Sequence, residues 1–144
     1  MQQDVSALIK SVENLEDYEQ SSQALMELVH CDPPTGARLA LAILVSARGD
    51  VHLRAFAFNM LYRADRQNAF NYMREYASSS EPQVFAAMLD EVADDAGLLT
   101  TSEELQGIVR FLSASMKERG RGTSEPAQGR IESFSSTYAS FLKC

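Results

Sequence analysis

Apolar residues recur at three- and four-residue steps along nearly the whole chain, and no segment shows sustained alternation in steps of two. Side chains three and four apart share one face of a helix, whereas a strand needs a period of two, so the pattern predicts an all-α fold of about eight helices with essentially no sheet. The clearest stripes are Val5, Leu8, Ile9, Val12 and Leu15; Leu53, Phe56, Ala57, Met60 and Leu61; and Leu105, Ile108, Val109, Leu112 and Met116. From Ala37 to Ala47 the chain is apolar on nearly every side, which predicts a helix covered by more than one neighbour. It is expected to form the core pair with the helix over Val51 to Ala64.

Stop and start signals divide the stripes. Asp4 is placed to cap the first helix; Tyr18, Leu25, Leu28 and Val29 mark a second that Asp32-Pro33-Pro34 ends. Arg48-Gly49-Asp50 supplies a glycine C-cap followed directly by an aspartate N-cap. A fifth helix is expected from Arg66 to Ala77, and Ser80 is placed to cap a sixth with Pro82 in its first turn. In that sixth helix Phe85, Met88, Leu89, Val92 and Ala96 are expected inward, and Asp90, Glu91, Asp94 and Asp95 outward. Thr101-Ser102-Glu103-Glu104 has capping-box spacing for the seventh. Residues 120–129 read as a flexible loop, and Ile131, Phe134, Tyr138, Phe141 and Leu142 as a last helix.

A weak internal repeat underlies this order. A 31-residue shift lays Asp50, Leu53, Ala55, Phe58 and Leu61 over Glu81, Val84, Ala86, Leu89 and Val92. A 33-residue shift lays Ala57, Phe58 and Leu61 over Ala24, Leu25 and Leu28. Periods in the low thirties suit stacked helix pairs, in which one pair cannot cover its own apolar face but a neighbour can. The stretch Asp50-Val51-His52-Leu53-Arg54-Ala55-Phe56-Ala57, continuing to Met60-Leu61, resembles a HEAT-like repeat unit, with its capping acid, aliphatic, arginine and alanine-rich face. Ser80-Glu81-Pro82-Gln83-Val84 resembles the same opening, but Phe85 stands where the arginine is expected. The resemblance implies stacked antiparallel hairpins in a short solenoid; an irregular helical bundle is the alternative.

The 144-residue length suits a single domain over 1–144, able to bury a core without metal or disulfide. The longest apolar run, Leu39 to Val45, is too short to cross a bilayer, and Met1 to Val5 has no basic and apolar leader pattern; a cytoplasmic protein with no membrane partner is expected. Cys31 and Cys144 have no C-x-x-C spacing and read as reduced thiols. The net charge of −7 disfavours a nucleic-acid partner, since affinity for phosphate backbones comes from Lys and Arg. The charge alternates in blocks: −6 over 1–32, +3 over 33–80, −7 over 81–109 and +3 over 110–144.

No nucleotide-loop, zinc-protease or serine-hydrolase motif occurs, and only His30 and His52 offer neutral-pH bases. His30 suits a helix C-terminus and His52 a solvated first turn, so no catalytic residue, cofactor or metal is assigned. The candidate partner-binding residues are the acids Asp90, Glu91, Asp94, Asp95, Glu103 and Glu104, which put like charges on one face with no intervening base, and the tyrosines Tyr62, Tyr72 and Tyr76. For the acids the alternative is a solubilising face; for the tyrosines it is half-buried core. The basic set Arg63, Arg66 and Arg74 is expected to pair with the flanking acidic helices, with an acidic partner as the alternative. Small size, acidity, stacked helices and absent catalytic motifs are similar to bacterial toxin-neutralising immunity proteins. That likeness implies a non-enzymatic protein that binds a basic toxin or enzyme and occludes it. A scaffold or adaptor holding other proteins is the second expectation, and an enzyme subunit the third; oligomeric state is not legible.

Overall fold

The computed structural model describes residues 5–13, 18–46, 49–99, 101–119 and 127–142. Among these the fold is all-α, with no strand, as the apolar period requires. The helices are α1 (Val5–Glu13), α2 (Tyr18–Cys31), α3 (Pro33–Ser46), α4 (Val51–Ala64), α5 (Arg66–Tyr76), α6 (Pro82–Asp94), α7 (Glu103–Arg119), α8 (Ala127–Thr137) and α9 (Ala139–Leu142), with a 3-10 turn at Ala96–Leu98. They gather into two compact units, Met1–Ala69 and Phe70–Cys144.

In the first unit α3 and α4 pack most extensively against each other, and α2 packs on α1, α3 and α4. Leu8 and Val12 of α1, Leu25 and Leu28 of α2, Ala40 and Ile43 of α3 and Leu53, Phe58 and Leu61 of α4 fill the core. The small buried Ser21 lets α1 approach α2, and its hydroxyl donates to the Ser11 carbonyl at 3.1 Å.

The corners of this unit repeat. Asp32 stands alone between α2 and α3, and Asp65 alone between α4 and α5. Each aspartate amide donates to the carbonyl four residues back, Leu28 or Leu61, at 2.7 Å. Each carboxylate accepts the amide three residues on, from Thr35 at 3.4 Å and from Asn68 at 3.2 Å. One residue thereby ends one helix and caps the next, satisfying backbone groups that a helix end leaves without partners. The two corners are 33 residues apart, as are the starts of α2 and α4, so the period found in the apolar residues is also a period of the backbone. Pro33 explains why α3 begins four residues before the expected Ala37: proline lacks an amide that the first helical position does not use.

Just before α4, Gly49 has φ 78°, a left-handed conformation that glycine adopts without steric cost. Asp50 then caps α4 through the His52 amide at 2.7 Å, and the Arg54 guanidinium donates to the Gly49 carbonyl. Asp50→Ala is expected to lower stability by about 1 kcal/mol in urea unfolding, while Asp50→Asn keeps most of it.

In the second unit α6 is the central helix, packed chiefly on α8. Val84, Phe85, Ala86, Ala87, Met88, Leu89, Glu91 and Val92 are all buried. This corrects the outward placement of Glu91: α6 is enclosed on more sides than its stripe of large residues indicates, and Ala86 and Ala87 are small enough to admit a close neighbour. Ala96, expected inward, is only half-buried. The turn after α5 is tied to α7, where Ser78 donates to Glu118 at 2.7 Å and lies 3.4 Å from Ser115.

Two caps sit elsewhere than expected. Ser80 turns back to donate to the Tyr76 carbonyl at 2.7 Å, so Glu81 precedes α6 with no side-chain cap and Pro82 begins it. Ser102, not Thr101, caps α7, accepting the Leu105 amide at 3.1 Å, while Thr101 donates to the Leu98 carbonyl. The one-residue shift puts Leu105 in the position of the reciprocal carboxylate, so the capping box is half formed. Gln106 makes the second tie instead, donating to the Leu99 carbonyl at 2.8 Å. Of the expected loop, residues 120–126 lie outside the described residues, and α8 already begins at Ala127. The Asp4 cap, Leu15 and Cys144 also lie outside them.

Candidate functional site

The acidic residues of the second unit divide by exposure. Asp94 at the end of α6 and Glu103 at the start of α7 are exposed; Asp90, Asp95 and Glu104 are half-buried; Glu91 is buried. The Glu104 Oε1 atom is shielded from water and has no hydrogen-bond partner among the described residues. The acids at the start of α7 lie where the helix dipole favours negative charge, and those at the end of α6 where it disfavours it. No base lies in the last turn of α6, nor anywhere in residues 81–109.

Beneath this acidic end sits Tyr138, at the one-residue break between α8 and α9, about 1% exposed. Its hydroxyl donates to the Val92 carbonyl in the last turn of α6, and its ring meets Phe134 at 5.1 Å between centroids. Burial first, and then the negative charges of Asp95 and Asp94, push its ionisation up to about 12. The sequence pattern places Tyr138 in the core stripe but gives no sign that it binds the α6 terminus.

The three candidate tyrosines are not an exposed cluster. Tyr62 is 4% and Tyr72 8% exposed, and only Tyr76 is half-buried. Tyr62 packs on Phe58 at 6.2 Å, with the Arg66 guanidinium 5.3 Å from its ring centre. Tyr72 and Tyr76, one turn apart on α5, stack at 4.7 Å. Their large rings serve the interior here, so Tyr62 and Tyr72 do not offer an interface.

A feature not anticipated lies in the first unit. Met26, Val29 and His30 of α2 and Met60 and Arg63 of α4 line a groove of about 250 Å³. Met26 is 50% exposed, and His30 and Arg63 are also exposed. The 33-residue period carried a signal for it, since His30 and Arg63 are equivalent positions. His52 is exposed in the first turn of α4 and Cys31 at the end of α2. Among the described residues no three His, Cys, Asp or Glu side chains converge as metal ligands, and no helix is long and apolar enough to cross a membrane.

The fold so described is that of an all-α protein with a repeated helix-aspartate-helix corner. Comparison with protein families, curated proteins and solved structures finds no match to the chain.

Proposed function

We propose that the chain is a non-enzymatic protein-binding module that docks a basic partner on the acidic end of its second unit. One observation carries this reading: Asp94 and Asp95 crowd the negative end of α6, and the −7 block around them contains no base. Like charges on neighbouring turns and at a helix C-terminus each cost a helix a few tenths of a kcal/mol. A cationic surface would relieve that repulsion and be steered toward it. Burial narrows the proposed surface to Asp94 and Glu103, with Asp90, Asp95 and Glu104 at its margins and Glu91 excluded.

In its most concrete form the partner is a basic toxic enzyme whose cleft is occluded, as an immunity protein would do. The expected result is a one-to-one complex on purification from native cells, weakening as salt rises. Asp94→Lys and Glu103→Lys should each weaken it about tenfold or more in a binding titration. A complex indifferent to salt and to both reversals would sink the reading.

The adaptor alternative draws on a separate observation, the Asp32 and Asp65 corners at a 33-residue period, which favours a HEAT-like stack presenting equivalent residues side by side. Recovery of several partners, rather than one, would decide for it.

A further inference from the structure

The groove between α2 and α4 combines apolar side chains with two of basic type, His30 and Arg63. Met26 and His30 are one turn apart on α2, with Val29 lining the groove from the same helix, and Met60 and Arg63 are nearly one turn apart on α4. His30 and Arg63 occupy the last turns of the two helices, 33 residues apart, so the repeat brings two basic positions to one place. No acidic residue lines the groove. Methionine is unbranched and polarisable and adapts to differing apolar shapes, which suits a recognition surface more than a tightly specified core.

We propose that this groove docks an acidic amphipathic segment of another protein, which seats an apolar side chain on Met26, Val29 and Met60 and sets carboxylates against His30 and Arg63. The argument is charge complementarity at the lining itself: its two polar side chains, His30 and Arg63, are both basic types, and the rest of the lining is apolar. It does not rest on the acidic-end reading, which concerns the other unit and a partner of opposite sign.

The test titrates the full chain, carrying isotope-labelled methionine methyl groups, with a short labelled peptide that bears leucines along one helix face and glutamates beside them. Binding should follow in fluorescence anisotropy, with the Met26 and Met60 methyl resonances moving and those of the buried Met73 and Met88 staying. Met26→Glu and Arg63→Glu, both at exposed positions, should each weaken binding about tenfold or more, and added salt should weaken it further. Four results would overturn the proposal: no binding, unmoved Met26 and Met60 methyls, equal binding by the variants, or equal binding by a peptide with lysine in place of glutamate. Movement of the same methyls with anionic vesicles or polyuridylate but not with the peptide would overturn it as well.

Discussion

Gly36→Ala should lower the unfolding free energy by about 2 kcal/mol, although alanine is the better helix former by about 1 kcal/mol. A Cβ at Gly36 would lie 2.7 Å from Val29 Cγ2 and 2.8 Å from both the Val29 Cα and backbone nitrogen. The γ-methyl can rotate away, but the α2 backbone cannot, so α3 must shift out of the tight corner made at Asp32. Gly36→Val should cost more, because its branched carbons add to the same overlap. Gly107 is the control: it is exposed within α7, and nothing lies within 4 Å of the point a Cβ would occupy there. Gly107→Ala should therefore stabilise by about 0.5–1 kcal/mol, through helix propensity and the less mobile unfolded chain. Urea unfolding of both variants checks the pair; equal effects would show that α2 and α3 do not meet so closely.

Tyr138→Ala should cost about 3–5 kcal/mol, the range for removing a large buried aromatic ring. Tyr138→Phe should cost about 1 kcal/mol, since the Val92 carbonyl that loses the hydroxyl still accepts the Asp95 amide at 3.1 Å. Packing is therefore the larger part of what this residue contributes. The hydroxyl adds a pH dependence. Its ionisation is raised from 10.0 to about 12 in the folded chain, so between these values the unfolded chain has lost a proton that the folded chain retains. The stabilisation is full below pH 10 and is lost as pH rises through about 12, a total of about 2–3 kcal/mol at 1.36 kcal/mol per unit. Phenolate absorbance should include a late phase from Tyr138, and Tyr138→Phe should abolish that phase and flatten stability across the window. Asp94→Asn should move the late phase toward lower pH, because it removes one of the charges opposing ionisation.

Much of the fold is legible in the sequence for a simple reason. The period of Leu105, Ile108, Val109 and Leu112 is a property of one helix, and all four are buried as their spacing predicts. Asp50 acts locally too, so its cap is readable before any packing is known. Cap choice is less readable where several candidates adjoin: Thr101 and Ser102 both fit a helix start, and only the 3-10 turn before them selects Ser102. The candidate site was legible as a charge block but not as a surface. Identity alone could not separate the exposed Asp94 and Glu103 from the buried Glu91, because exposure depends on which helix lies opposite.

By itself, then, the sequence determined that the chain is helical, where most helices begin and end, and that a 33-residue shift brings apolar residues of the second and fourth helices into register. These follow from interactions within a few residues of chain. Tertiary structure alone decided that Tyr62 and Tyr72 belong to the interior, that Gly36 lies against Val29, that Tyr138 reaches the end of α6, and that Met26 and Met60 line one open groove. Each of these depends on which helix faces which, and burial of apolar surface, being non-directional, does not specify that choice in any one segment.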